Sequence, residues 1–432
     1  MLFRFAVLTI ALLNWGNCFA SYSDVAPLPT FESAEHLLIG DKVILTFPAD
    51  FPLTQKLVLA NGLSLTYGEI VTLGGDFYGV PDVPIVSGET EAERETLFYQ
   101  SYLTLAGSMN SVNEAPKILA LIYDEKKQIE DSANTGEKPV DIYARLYLDH
   151  LISWNCITGG MCPEDYPHLK NLLRKIFYLK PGRYLKLALK DYDHFDQSAW
   201  LTYQAGHQLA LKTAYAAVQT KNPQKLVEAY AMNAFASHFL SDGFASGHMR
   251  TQHLLLATKI RPSLIGSLFT NYMHNEDNQS GLIVGNLRGD TWKTFGDQYY
   301  LDERNSKNRA LLQEAMQLSA DEIFVTYNTG KMPLTDKVAT LIPDLDSLTQ
   351  NPASQLNPSP LFYWDSKNQI MMRRKVIADK YCYEWISNWS VWGTVLELIA
   401  AKGKIPTMDA MLLNNASTHD IAIFNHLVTD EV

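Results

Sequence analysis

Positive charge, cysteine and apolar runs of membrane-spanning length are all scarce in this chain. Lys and Arg number 36 against 47 Asp and Glu, which gives a formal net charge of -11. A surface that coats nucleic acid needs a basic field, so no nucleic-acid partner is expected and any phosphate chemistry must be organised locally. Beyond the N-terminus, no apolar run approaches the roughly 20 residues that cross a bilayer. With 432 residues, 47% of them hydrophobic, the chain can form a large core and fits neither a disordered nor a fibrous class.

The first twenty residues have the pattern of a secretory signal peptide. Arg4 supplies the positive n-region, residues 5–13 the apolar core, and residues 18–20 a small-x-small cleavage site before Ser21. No lipobox precedes Cys18, so a lipid anchor is not expected. We therefore expect a signal peptide over 1–20 and an exported, secreted protein, whether its destination is the periplasm or the medium.

Three cysteines follow the cleavage site. Cys156 and Cys162 bracket the Gly159-Gly160 turn, which would bring their thiols within bonding reach in an oxidising compartment. We predict a disulfide between them. Cys382 is left over, either as a buried thiol or as one end of an intermolecular bridge.

Apolar residues recur at helical spacing along most of the chain, without sustained period-2 alternation, so the sequence predicts a mainly α protein. A further helix is predicted to begin around His36. A Pro, Asn and Ser-rich stretch after about residue 330 divides a helical domain at 21–330 from a C-terminal, aromatic-rich helical extension at 331–432. The predicted helices cover 91–110, 113–133, 139–155, 168–178, 197–219, 223–242, 308–328 and 370–401.

The run Ser237–His248 is the most informative segment for chemistry. His238 and Asp242 are four residues apart at the end of a predicted buried helix, so they would share one helix face. Gly243 allows the helix to stop and Gly247 allows a turn, so that His248 can approach the same point. A lone His-x-x-x-Asp pair is more often a buried, hydrogen-bonded histidine, but the third residue and the glycines favour a metal site. Imidazole and carboxylate together suit zinc.

Four further residues could supply ligands to this site: His194 before a predicted helix, His274 in a polar segment, Asp76 in a glycine-rich loop, and His36. Either Glu276 or Asp277 could supply a carboxylate beside His274, and Asp277 is weakly favoured. Taken singly, each of these residues is more often a surface residue or a satisfied core residue.

In its order the whole series resembles the zinc-dependent phospholipase C family, which shares its helical fold with the P1-type nucleases. The resemblance covers roughly residues 33–300. The segments HFLSDGFASGHMR, MHNEDN and the later Gly289-Asp290-x-Trp292-x-x-Phe295-Gly296-Asp297 look most like the secreted branch known from Legionella and Pseudomonas fluorescens. The matching positions, in family order, are His36, Asp76, His194-Phe195, His238, Asp242, His248 and His274.

The resemblance implies a multi-helix phospholipase C/P1 nuclease-like bundle with two or three Zn²⁺ ions. One ion would be held by His194, His238 and Asp242. A second would be held by His248, His274 and Asp277. Asp76 would hold or deprotonate the attacking water, and His36 with Asp242 would attend a third ion.

The chain departs from the family pattern in three places. Cleavage before Ser21 provides no N-terminal Trp, which in the better-known enzymes binds the third zinc. The family's last ligand pair is HxxxE, whereas the residue four after His274 is Asn278. A long insertion separates Asp76 from His194, and the tail beyond about 330 has no counterpart in the compact phospholipases.

The resemblance therefore implies a secreted phospholipase C that hydrolyses glycerophospholipids, such as phosphatidylcholine, to diacylglycerol and a phosphorylated headgroup through a metal-bridged hydroxide. Asp76 and Asp242 would be its catalytic residues. The alternatives are a P1-like secreted nuclease or phosphatase and a non-catalytic, zinc-dependent lipid-binding or adhesion protein. As a phospholipase the protein would touch a membrane surface peripherally, and no protein partner is inferred. Residues 361–364 could make that contact or, as we favour, pack the tail against the main body.

Overall fold

The computed structural model describes residues 33–49, 51, 56–133, 136, 187, 190, 192–345 and 356–401. Helices dominate these ranges, which confirms the predicted mainly α class. The α-helices are α1 (Ser33–Gly40), α2 (Tyr67–Leu73), α3 (Glu91–Ala106), α4 (Met109–Ala133), α5 (Asp196–Thr220), α6 (Gln224–Asp242), α7 (His253–Lys259), α8 (Ser263–Ser280), α9 (Ser306–Thr329) and α10 (Val391–Ala400). Short 3-10 turns lie at Ile85–Ser87, Tyr192–His194, Glu303–Asn305 and Val338–Thr340.

The strands of these ranges are short and antiparallel. Two of the sheets are hairpins, one of β1 (Leu57–Val58) with β2 (Ser64–Leu65) and one of β3 (Leu282–Gly285) with β4 (Thr291–Thr294). The third sheet has the order β5-β6-β7. Its strands are Phe362–Asp365, Ile370–Arg374 and Trp385–Ile386.

The centre of the main core is the α5/α6 hairpin. Nearly every residue of α6 is buried, as expected for a helix whose Ala, Met, Leu and Phe residues leave no polar face. Helices α2, α5 and α9 pack around it. Because α6 is enclosed on all sides, His238 and Asp242 at its C-terminal end are held in a rigid, water-poor environment.

Most of the predicted helices lie close to their expected positions, but the one at 370–401 does not. There the structure has β6, β7 and only then α10. Ile370–Arg374 and Trp385–Ile386 pair as strands in a segment that covers the apolar surface of α7 and α8, a tertiary context that the spacing of apolar residues could not reveal. The two helices predicted at 139–155 and 168–178, and the Cys156–Cys162 pair, lie outside the described residues.

The C-terminal strands and α10 share a second core with α7 and α8. Leu361 and Phe362 are buried there, which places these two residues in the packing alternative rather than at a membrane surface. Cys382 is half-buried. The residues of this core are Leu256, Ile260, Phe269, Tyr272, Met273, Leu361, Phe362, Met371, Ile377, Val395 and Leu398. Among the helices that the structure describes, none combines the length and the apolar character needed to cross a membrane.

Candidate metal centre

The first cluster of possible ligands forms at the end of α6. Asp242 Oδ2 lies 2.9 Å from Nδ1 of His194 and 3.6 Å from Nε2 of His238, and these two ring nitrogens are 3.2 Å apart. His194 enters from the 3-10 turn just before α5. His238 and Asp242 therefore share one face of α6, as their spacing predicts, and all three side chains are buried.

Hydrogen bonds to the outer ring nitrogens fix which nitrogens face the cluster. His238 Nδ1 donates to the Val71 carbonyl at 2.9 Å, which leaves Nε2 directed at Asp242. The Ser241 hydroxyl donates to the His238 carbonyl at 2.6 Å, so it accepts from His36 Nδ1 at 2.9 Å. His36 Nε2 then faces Asp242 Oδ1 at 3.4 Å. In metal proteins such outer bonds hold ligand histidines in one orientation and tautomer.

Asp76 completes this side of the site. It follows α2 through Gly74 and Gly75, and its Oδ1 lies 3.5 Å from His238 Nε2. Within the described part of the chain neither of its carboxylate oxygens accepts a hydrogen bond, although the residue is buried. Burial, opposed by the nearby histidines, raises the pKa of Asp76 to about 7. A buried carboxylate without hydrogen bonds is costly unless it is protonated or faces a cation.

Gly75 makes the approach of this loop possible. Its φ of +71° lies in the left-handed region that favours glycine, and a Cβ there would come within 2.6 Å of both His194 and His238. The loop that carries Asp76 thus touches the cluster through a residue without a side chain.

Charges within this first cluster are strongly coupled. Burial alone would raise the pKa of Asp242, but His238, His248 and His194 hold it well below its usual range. Burial and the charge of His238 lower the pKa of His36 to about 4, so His36 is neutral at pH 7 and its Nε2 can act as a ligand.

The second cluster joins His248, His274 and Asp297. His248 Nε2 and His274 Nε2 lie 3.1 Å apart, and Asp297 Oδ2 is 3.3 Å from the first and 2.7 Å from the second. His248 Nδ1 donates to the His194 carbonyl at 2.9 Å, and His274 Nδ1 to Asn275 Oδ1 at 3.1 Å. Both rings therefore direct Nε2 at Asp297.

When no ion is bound, His248 of this second cluster carries a proton at neutral pH. Burial by itself would lower the pKa of His248, but Asp242 and Asp297 raise it to about 9. Burial would likewise raise the pKa of Asp297, yet His248 and His274 hold it well below its usual range. An imidazolium and a carboxylate held together in this way are a site that a divalent cation can enter by displacing a proton.

The carboxylate of this cluster is not one of those considered beside His274. Asp277 instead accepts two hydrogen bonds from Arg250, at 2.7 and 2.6 Å. Glu276 accepts two from the buried Arg374 of β6, at 2.8 and 2.7 Å. Both lie on α8, and each carboxylate is paired with an arginine instead of with His274. Asp297, which follows β4, is the carboxylate of the second cluster, the role that the sequence analysis assigned to Asp277.

Asn278 links α8 to the Asp297 loop. Its Oδ1 accepts from the Gly247 backbone N–H at 2.6 Å, which directs its Nδ2 to Asp297 Oδ2 at 3.2 Å. A Cβ on Gly247 or Gly296 would overlap the Asn278 amide, at 2.4 and 1.4 Å from Oδ1 respectively. The amide thus holds Asp297, from the position where the resembled family has a glutamate.

The two clusters are parts of one centre. The His194 carbonyl accepts from His248 Nδ1, and the Asp196 backbone N–H donates to the His248 carbonyl at 2.6 Å. A single cleft is bordered by Asp242 of the first cluster, by the neighbouring His36, and by Asp297 of the second cluster. His194, His238, Asp242, His248 and His274 therefore meet, although they are up to eighty residues apart in sequence.

The donor set fits a metal ion. Ligand atoms about 2.1 Å from a tetrahedral zinc lie roughly 3.4 Å from one another. The nitrogen and oxygen atoms of each cluster are 2.7 to 3.6 Å apart. Three ligand groups can be formed among the described residues, namely His194/His238/Asp242, His248/His274/Asp297 and His36/Asp76/His238. These buried groups could hold a metal ion, and their chemistry does not by itself single out zinc.

Comparison with known proteins does not identify the function of this centre. No family model matches the chain, and neither a curated protein nor a solved structure matches it. The assignment of a function must therefore depend on the site itself.

Asp297 is the ligand candidate that sequence reasoning missed. It ends the Gly289–Asp297 segment, but the carboxylate was sought only within four residues of His274, the spacing of the family's HxxxE pair. A carboxylate directly after a glycine and a short strand, near a cluster of histidines, was the available signal. His207, in contrast, is bonded to Glu322 at 3.0 Å and to Asn233 at 3.0 Å within the helical core.

Proposed function

We propose that this chain is a secreted, zinc-dependent phospholipase C that hydrolyses glycerophospholipids such as phosphatidylcholine to diacylglycerol and phosphorylated headgroup. The observation that carries the proposal is that two sets, each of two buried imidazoles and one carboxylate, lie side by side, with the carboxylates Asp242 and Asp297 bordering one cleft. Paired sites of this kind suit the hydrolysis of phosphoesters.

His194, His238 and Asp242 would hold one ion, and His248, His274 and Asp297 the other. His36 with Asp242 or Asp76 would attend a third. Bound zinc would supply a Lewis acid that polarises the phosphate and lowers the pKa of water. The outer hydrogen bonds that the ring N–H groups donate to the Val71 and His194 carbonyls and to the Ser241 hydroxyl keep the other ring nitrogens aimed at these positions.

Asp76 is the residue best suited to handle a proton. It is buried, and its oxygens accept no hydrogen bond within the described residues. Where no cation faces it, burial raises its pKa to about 7. A zinc ion bound beside it would lower that value and keep the carboxylate ionised, so that it could accept a proton. Water would add to phosphorus as the bond to the glycerol oxygen breaks, and the proton taken by Asp76 can be returned to that oxygen.

The cleft beside the carboxylates has an apolar wall. Ile39, Phe244 and Phe295 border it together with Asp242 and Asp297. In the proposed complex the glycerol side of the lipid would face this apolar wall and the charged phosphate would face the metal positions. The peripheral contact with a membrane remains part of the proposal, and the exposed Trp392 and Leu396 of α10 are candidates for it.

A P1-like nuclease is the second candidate, because aromatic side chains border the same cleft. Phe295 and Tyr300 lie there as nearly buried rings, so a nucleobase would stack on them only where the cleft opens. Its metal positions would be the same, so the substrate alone distinguishes the two functions.

The test compares two substrates under one metal regime. Purified protein is assayed for release of phosphorylated headgroup from phosphatidylcholine vesicles and for cleavage of single-stranded DNA. It is used as isolated, after chelation, and after zinc is restored. We expect lipid hydrolysis that chelator abolishes and zinc restores.

Zinc-dependent cleavage of the nucleic acid without lipid hydrolysis would transfer the function to the second candidate. Zinc binding without hydrolysis of either substrate would favour the non-catalytic alternative. Lipid hydrolysis that chelator leaves intact would contradict the proposed mechanism.

A further inference from the structure

We infer that Glu35 is a positioning residue that sets Asp297 against His248 and His274, and that α1 thereby joins the two metal positions. The inference rests on the metal centre of the proposed function, but not on its substrate. Glu35 is not among the candidate ligands. It precedes His36 directly on α1.

The carboxylate of Glu35 binds the backbone just after Asp297. Glu35 Oε2 accepts from the Gln298 N–H at 3.0 Å, and Oε1 accepts from the Tyr300 N–H at 3.0 Å. Glu35 is only 5% exposed, so both bonds are shielded from water. Hydrogen bonds from backbone N–H groups to a carboxylate are among the stronger ones in proteins.

The loop that these bonds hold has an unfavourable backbone conformation. Gln298 has a φ of +71°, in the left-handed region that residues with a Cβ adopt rarely. Such a conformation persists only where the surroundings impose it. Glu35 contacts the N–H of the strained residue itself, so it is well placed to impose the turn that aims Asp297 into the second cluster.

The neighbouring residue of Glu35 serves the first cluster. His36 Nε2 lies 3.4 Å from Asp242 Oδ1, and its Nδ1 is bonded to Ser241 of α6. Glu35 thus holds the loop that carries Asp297 of the second cluster, and the next residue, His36, contacts Asp242 of the first cluster. A shift of α1 would move His36 and the Asp297 loop together, which physically links the two metal positions.

The variant Glu35→Gln tests the inference, since it keeps the side-chain length but turns one acceptor into a donor that faces a backbone N–H. We expect the affinity for the second ion to fall about 10- to 100-fold, the range usual for loss of a partner that orients a ligand. The affinity for the first ion should change much less. Zinc and cobalt titrations against a chromophoric chelator measure both steps. The absorption band of the second cobalt ion should shift.

Glu69→Gln is the matched control. Glu69 is also 5% exposed and accepts a backbone N–H, that of Thr66 at 2.7 Å, but it caps α2 and does not touch the Asp297 loop. Both ion affinities and the cobalt band should be unchanged in this variant. If Glu35→Gln does not fold, Glu35→Asp keeps the charge, withdraws the carboxylate by one methylene group, and should show the same selective loss.

The inference is overturned if Glu35→Gln binds both ions as the wild type does, or if Glu69→Gln shows the same loss. It is also overturned if the wild-type protein binds only one ion. A wild-type protein that binds two ions but hydrolyses no lipid leaves the inference standing and removes the proposed function, so the two can fail separately.

Discussion

The two halves of the metal centre are built in different ways. In the first, His238 and Asp242 lie on one turn of a helix that is buried on every side, and only His194 comes from elsewhere. In the second, His248 follows α6, His274 lies on α8, and Asp297 follows β4. The first half owes its geometry to local helix periodicity, whereas the second depends on loops held by Glu35 and Asn278. We therefore expect changes at Glu35 and Asn278 to impair the second half much more than the first.

The largest effect is expected for Asp242→Asn, which keeps the side-chain volume but removes the negative charge from the first half of the metal centre. Its Oδ2 faces His194 and its Oδ1 faces His36, so ion binding there should be lost. Hydrolysis should fall by roughly three orders of magnitude, a loss typical when metal catalysis is removed. Circular dichroism should show an intact fold, since α6 ends at Gly243 in either case. Full activity in a folded variant would contradict the site.

A pair of aspartate variants tests the assignment of the second half. Asp297→Asn should lower the affinity for the second ion by 10-fold or more, as expected when a ligand is lost. Asp277→Asn should leave ion affinity nearly unchanged and lower the free energy of unfolding by about 1–3 kcal/mol, because the Arg250 pair is weakened. Metal titration and urea unfolding measure the two quantities. The opposite pattern would restore Asp277 as the ligand.

Gly75→Ala probes the close approach of the Asp76 loop to the first half. The added Cβ would overlap His194 and His238, so the affinity for the first ion should fall about 10-fold or more while the second ion still binds. Gly62→Ala is the control, because Gly62 has a φ of +86° but nothing within 4 Å of the added Cβ. The control should lose about 1 kcal/mol of stability and no ion affinity. Equal ion loss in both variants would show that backbone strain alone is responsible.

The smallest effect is a release of protons when the second ion binds. Because the folded pKa of His248 is raised to about 9, its proton must leave at pH 7.5 when a cation enters. Apparent affinity should therefore rise with pH up to about 9. In the ion-free protein, the stabilising contact of His248 with Asp297 is complete below about pH 6.5 and is lost as pH rises through about 9. Calorimetry in buffers of different ionisation enthalpy counts the protons. Asp297→Asn should reduce the count, and an unchanged count would contradict the assignment.

Sequence alone predicted those features that depend on short-range spacing. The helices around His238 and the shared face of His238 and Asp242 follow from a period of 3.6 residues, and the structure has both. Asp297 could not be placed beside His274, because only the β3/β4 hairpin, which returns the chain to the end of α8, brings these residues together. The strands at 370–374 and 385–386 lie in a segment predicted as helix for the same reason, since their pairing depends on the apolar surface that the segment covers.

The most direct test of the account is a crystal structure of the protein grown with zinc, with anomalous diffraction recorded on both sides of the zinc absorption edge. We predict one anomalous peak among His194, His238 and Asp242 and another among His248, His274 and Asp297, both bordering the cleft that contains Glu35. Absence of zinc from these two positions, or a second ion bound by Asp277 with Arg250 displaced, would contradict it.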